Sequence, residues 1–341
     1  IAEHLCHIAG PFRIHIARSN NREPAMPSLT KKIVRLALLF AVSYGMLYFS
    51  YKYYVPRSGG TDFFQYYNMY LSPLDPGAAQ SPFIYRQLSA IATHLVYIIG
   101  VYYPTIIWFN EVGYDQHVFF AALLTNYIFL VFTAWVAGAI VEQELGESAF
   151  IPATLGGLLC LLSFHSQVSV ITGLTEGVSW FLLALAFLFY LRRELLPLSI
   201  ILALAILQRE TILIIFASIS GIALLLQHDK RRFNGFILFW SIACGIAYLL
   251  IRTIIFPIFD PTKQTDPAAL LENLRTFQLT GDIVFEVFFS QNLLWLYLAA
   301  VILCGDERSR RFWLPTLLGT YLVLGVISVA AGIGNNTGRI E

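Results

Sequence analysis

Across positions 200–226 the only charged residues are Arg209 and Glu210, and the remainder is almost entirely apolar. A helix needs about 20 predominantly apolar residues to cross the hydrocarbon core of a bilayer. The chain repeats this pattern at 33–54, 88–103, 118–141, 150–168, 178–191, 195–207, 211–226, 233–256, 283–303 and 312–333. A transmembrane barrel would instead alternate apolar and polar residues over about ten positions, and these runs do not alternate. Only 13% of the residues are charged and the mean hydropathy is +0.67, against about 25% charged in an ordinary soluble domain. Such a chain lacks the polar surface that water requires. The fold class that follows is an all-α, polytopic transmembrane helical bundle.

The run at 88–103 is short and ends at Pro104, so whether it crosses decides the side of every later loop. If it stays on the outer face, 14 Lys and Arg residues lie inside and 8 outside, with every basic cluster inside. If it crosses, the split becomes 11 against 11. Cytoplasmic loops carry an excess of Lys and Arg, so the first arrangement is expected. It has about nine spans, an inner N-terminus, outer loops at 55–117 and 257–282, and a membrane-parallel helix in the first loop. Residues 1–30 read as a cytoplasmic tail or upstream extension, and 31–341 as the transmembrane domain. Met26 followed by Pro-Ser-Leu-Thr-Lys-Lys has the look of a natural start.

Other classes are disfavoured. A net charge of +1, with no basic run longer than three residues, offers nucleic acid no footprint. Cys6, Cys160, Cys244 and Cys304 are isolated, without zinc spacing or a disulfide framework. The expected surroundings are membrane lipids.

Against this apolar background the polar residues of the outer ends require a reason. They are Asp62 after Gly59-Gly60-Thr61, Arg86 in Pro82-Phe-Ile-Tyr-Arg-Gln-Leu, His165 ending one span, Glu176 after Thr175 opening the next, Arg209 with Glu210, Arg252, and Arg339 after the last run. Each has an ordinary explanation, such as snorkelling to the headgroups or complementing a helix dipole. Together they place acids and arginines at one membrane face. A carboxylate there can take a proton from an attacking hydroxyl, and guanidinium groups can hold a phosphate through paired, charge-assisted hydrogen bonds. Transfer of a group from a lipid-linked phosphate fits that placement, because the lipid tail stays in the bilayer while its head reaches the interface.

The order of these features resembles the GT-C superfamily of polyprenyl-phosphate-sugar-dependent glycosyltransferases. Asp62 matches the early acid of the first outer loop, Thr175-Glu176 the acidic motif that opens a later helix, and Gln208-Arg209-Glu210-Thr211 the arginine-containing turn. The stretch from Pro82 to Leu88 is similar to a Pro-Phe-x-Tyr-Arg-x-Leu segment of some bacterial members. The resemblance covers about 31–232. It implies a multi-pass protein of the bacterial inner membrane, with a polyprenyl-phosphate-linked sugar as donor and inversion at the anomeric carbon. It also implies Asp62 and Glu176 as catalytic carboxylates and Arg86 and Arg209 as donor-phosphate ligands. From their place at the same membrane face, Arg339 is expected as a further donor-phosphate ligand, and His165 and Glu210 as substrate contacts. The first loop carries one acid where two adjacent ones are usual, so no metal ligand set is assigned and a divalent metal stays open. Two other functions fit a chain of this composition: a non-catalytic subunit of a membrane complex, and a transporter or lipid flippase. The transporter is disfavoured by the lack of an internal repeat with paired broken helices.

Overall fold

The computed structural model describes residues 28–54, 63–79, 83–100, 103, 105, 113–145, 149–162, 175–226 and 230–255, with isolated positions beyond (275, 315–316, 318–320 and 322–323). Among the described residues the secondary structure is entirely helical. The helices are α1 (Ser28–Tyr53), α2 (Phe63–Leu71), α3 (Gln87–Ile99), α4 (Gln116–Leu145), α5 (Phe150–Leu161), α6 (Glu176–Arg192), α7 (Leu195–Ala205), α8 (Glu210–Leu226) and α9 (Arg231–Ile254), with a single 3₁₀ turn at Phe83–Tyr85. Three stretches, Leu29–Tyr53, Gln116–Gln143 and Arg231–Arg252, are long and apolar enough to cross a membrane. The runs expected at 283–303 and 312–333 lie outside the described residues, apart from a few positions of the second.

The central element is α4, whose 30 residues extend about 45 Å at 1.5 Å per residue. One side of it receives α1. Arg35, Leu39, Ser43, Leu47 and Ser50 are all buried, a spacing of four, four, four and three that keeps them on one helical stripe. The two helices run antiparallel: Trp135 of α4 donates to the Lys32 carbonyl near the start of α1, while Tyr51 packs on Phe120 at the opposite end. Another side of α4 meets α5 at very close range. A Cβ on Gly138 would lie 2.7 Å from the Ala153 carbonyl, and one on Gly157 would lie 2.7 Å from that of Ala134. Small residues four apart on each helix allow this approach, as in other membrane helix pairs where backbones touch.

Many large side chains stay exposed: Leu29, Ile33 and Phe49 on α1, Ile151, Leu155 and Leu159 on α5, and Phe239, Ile246 and Ile254 on α9. Water would disfavour so much apolar surface, whereas hydrocarbon accepts it. The chain is therefore membrane-associated.

Lys31, Lys32 and Arg35 begin α1, Arg192 and Arg193 end α6, and Lys230, Arg231 and Arg232 begin α9. These positions gather at one end of the bundle. Arg192 donates to Gln143 near the end of α4, and Tyr190 donates to Asn234 in the first turn of α9. Among the described residues, these three basic clusters thus share one end; the arginines of 1–27 and of 308–311 that the charge count placed with them lie outside the described residues.

The 88–103 run becomes α3, a helix of 13 residues and about 20 Å. It stops at Gly100, which adopts a left-handed conformation (φ 55°) that glycine reaches without a Cβ penalty. Near its start Ser89 bonds Gln208, and near its end Tyr97 donates to Asp115, just ahead of α4. The helix therefore slants between those two levels. Helix α2 forms where the sequence reading expected only loop. Its aromatic residues Phe63, Tyr66, Tyr67 and Tyr70 are buried in a ring cluster that includes Phe119 and Tyr114.

Candidate functional site

Helices α7 and α8 meet at a break inside the apolar run where the sequence carries Gln208-Arg209-Glu210. Only 11 residues form α7, so this junction lies about 16 Å from the start of α7. Two other helix starts meet it. Leu88, in the first turn of α3, donates its N–H to the Leu207 carbonyl at 2.9 Å. At the start of α6 the Gly177 N–H is accepted by Asn126 Oδ1 of α4 at 3.0 Å. Helix starts leave backbone N–H groups without intrahelical partners, and here bundle groups supply acceptors for them. Gly177 is required for that contact: a Cβ would stand 2.8–2.9 Å from Asn126 Oδ1, Cα and O.

Each of the three helix starts delivers a charged side chain. Arg86 is the N-cap residue of α3, Glu176 the first residue of α6, and Arg209 immediately precedes α8. Arg86 Nη1 donates to Tyr66 Oη of α2, to Thr175 Oγ1 at 2.9 Å and to Glu176 Oε1 at 3.4 Å. Arg209 Nη1 lies 3.6 Å from the same Glu176 oxygen. One carboxylate between two guanidinium groups leaves a net positive charge, and the positive ends of three helix dipoles add to it. The cluster remains reachable, since the side chains of Arg86, Glu176 and Arg209 are 21%, 18% and 34% exposed. Glu176 Oε2 is buried and has no hydrogen-bond partner among the described residues. Chemically, this is an arrangement suited to an anion that can bridge two guanidinium groups.

An aromatic wall stands beside it. Tyr70 of α2 is fully buried; burial pushes its phenol well above the ordinary value, Tyr66 and Glu176 push the same way, and Arg86 opposes them. On the other flank Arg252 of α9 sits over the Tyr85 ring, 4.7 Å from its centroid, and Tyr85 meets Tyr248 edge to face. Tyr248 is within reach of Glu210.

Of the residues singled out by sequence, the structure brings Arg86, Glu176 and Arg209 into contact and puts Glu210 and Arg252 alongside. Asp62, His165 and Arg339 lie outside the described residues. Among the described residues no three His, Cys, Asp or Glu side chains gather as a metal site would require. Sequence reading passed over Ser89, Asn126, Gly177 and Ser179. Asn126 left a signal, as an amide in the middle of an otherwise apolar span; the others look ordinary until packed.

Fold and cluster together define an all-helical membrane-associated protein with a positively charged, partly exposed polar site at the bundle end away from its basic anchors. No known protein family model matches the chain, and no curated protein or solved structure shows significant similarity to it.

Proposed function

We propose that the chain is a membrane glycosyltransferase of GT-C type, moving a sugar from a polyprenyl-phosphate donor to an acceptor at the extracytoplasmic face of the bacterial inner membrane. The observation that carries this reading is the contact of Arg86, Glu176 and Arg209, which come from three separate helix starts. In a phosphodiester donor the phosphate bears one negative charge. As the acceptor oxygen attacks the anomeric carbon, the bond from that carbon to the phosphate oxygen breaks, and the departing polyprenyl phosphate gains a second charge. Arg86 and Arg209 are placed to stabilise that growing charge, an effect worth most in a site already organised before the reaction. Glu176 orients the two guanidinium groups and keeps them from repelling each other. Asp62 takes the acceptor proton, and Glu210, His165 and Arg339 contact the substrates. The accompanying topology has nine spans, with Asp62 outside and Lys230–Arg232 in the cytoplasm.

Asp62→Asn in purified, lipid-reconstituted protein tests the assignment. Transfer from a labelled polyprenyl-phosphate sugar should fall about 10²–10⁴-fold, the usual effect of losing a general base, while folding and insertion are retained. Transfer at the wild-type rate would remove Asp62 from the mechanism. Failure of the unaltered protein to transfer sugar from any polyprenyl-phosphate donor would remove the reading itself.

A further inference from the structure

We infer that Gln208, which touches none of the charged groups, is the positioning residue that sets the spacing of Arg86, Glu176 and Arg209. Its side chain is 1% exposed and its amide is used on both sides. Oε1 accepts from the Ser89 N–H at 2.9 Å and from Ser89 Oγ at 3.0 Å. Nε2 donates to the Thr175 carbonyl at 2.9 Å and to Ser179 Oγ at 2.8 Å. Only this orientation of the amide works: reversing it would set NH₂ against the Ser89 N–H and oxygen against the Thr175 carbonyl.

The partners of Gln208 explain its reach. Ser89 lies one turn after Arg86 on α3. Thr175 directly precedes Glu176 and also receives Arg86 through its hydroxyl. Gln208 itself directly precedes Arg209. One amide therefore ties together the three backbones from which the charged side chains spring. Ser89 Oγ also lies 3.0 Å from the Thr175 carbonyl, so its one hydroxyl proton is shared between that oxygen and Gln208 Oε1. Arg86 is also held by the Tyr66 and Thr175 hydroxyls, but the shared Glu176 oxygen at 3.4 and 3.6 Å that draws Arg209 to it is a loose tether against the repulsion of two guanidinium groups. A buried amide with partners on both its oxygen and its nitrogen is rigid, whereas partly exposed ion pairs of this length hold geometry weakly. The inference is independent of which anion the site takes.

The test needs no substrate. Arginine reactivity toward phenylglyoxal, read peptide by peptide by mass spectrometry on the full chain in lipid nanodiscs, reports how firmly each guanidinium is held. In Gln208→Leu the modification rates of Arg86 and Arg209 should rise about five- to tenfold, the factor that loss of one or two hydrogen bonds allows. Arg252, which is tied to none of the Gln208 partners, should react at its original rate and serves as the internal control. If Gln208→Leu does not fold, Ser89→Ala and Ser179→Ala each remove one of the two bonds on one side of the amide, leaving the backbone partner in place, and each should give a smaller rise at Arg86. Unchanged Arg86 and Arg209 rates in a folded Gln208→Leu, or in both serine variants, would overturn the inference. A rise shared equally by Arg252 would also overturn it, since that reports general loosening. The functional arm separates the two proposals. Reactivity that rises in the variant of a protein showing no sugar transfer leaves the positioning role intact and removes the glycosyltransferase reading.

Discussion

Each end of the bundle joins an arginine to a glutamate across helices, and the two junctions are built for different purposes. At the basic end Arg35 of α1 is fully buried, with Nη1 2.6 Å from Glu142 of α4. Its stem occupies the space left by Gly138, where a Cβ would come within 3.2 Å of Nε. Charges match one to one, and the arginine is sealed, while Glu142 keeps 17% of its side chain exposed. At the other end Glu176 faces two arginines at 3.4 and 3.6 Å, the charges do not cancel, and the groups are partly exposed. A closed neutral pair joins helices. An open pair with surplus positive charge is free to accept a ligand. The contrast shows that buried charge in this protein is not one phenomenon, and that contact length, charge balance and access tell the two kinds apart.

The sharpest test of the comparison is which end faces out, because its outcome is all or none. A single cysteine at position 231, in a background without the native cysteines, should resist a membrane-impermeant maleimide in intact cells and react once the membrane is opened. Labelling in intact cells would exchange the two ends and move the open site to the cytoplasm.

Next in size is the closed pair. Arg35→Ala leaves the Glu142 carboxylate without its partner and should destabilise the protein by about 3–5 kcal/mol, as for other broken buried pairs. Thermal unfolding in detergent reads the change. Arg35→Met combined with Glu142→Leu should recover most of it, since two apolar groups need no partner. If Arg35→Ala melts with the wild type, the pair does not hold α1 to α4.

A smaller effect is expected where the open end meets the core. Gly177→Ala forces its new methyl against Asn126 and should cost about 1–3 kcal/mol, the range for overpacking. It should also draw Glu176 away from Arg86. A variant with unchanged melting would mean that α6 can shift at no cost, and the close contact would then not govern the site.

Arg209→Ala should matter least for stability, within about 1 kcal/mol, because partly exposed ion pairs contribute little. Binding should respond more: the KM for a polyprenyl-phosphate donor should rise roughly tenfold on loss of a charge-assisted hydrogen bond. A large fall in melting temperature without a change in KM would make Arg209 a structural residue like Arg35 and erase the contrast between the ends.

Much of this arrangement can be read from the chain alone, for a physical reason. Hydrophobic transfer is additive and local, so a run of apolar residues announces a helix for a membrane wherever it later packs. The runs at 33–54, 118–141 and 233–256 accordingly match α1, α4 and α9. The cost of charge in hydrocarbon is local too, which is why Arg86, Glu176, Arg209 and Glu210 stand out before any fold is known. Helix α2 does not stand out: Phe63, Tyr66 and Tyr70 are as much at home in an interfacial loop, and only packing on Phe119 makes them a buried face. Nor does any local rule couple Gln208 to Ser89, 119 positions away, or Asn126 to Gly177. Hydrogen bonds between distant groups exist only once helices are docked, because a buried donor must be satisfied by whichever acceptor the packing brings within about 3 Å. Sequence therefore determined the long apolar helices, the lipid-facing apolar surface and the residues too costly to be accidental. Tertiary structure alone decided that Arg35 is sealed against Gly138 while Arg86 and Arg209 share one accessible carboxylate, since charge pairing and access depend on distances that no single segment contains.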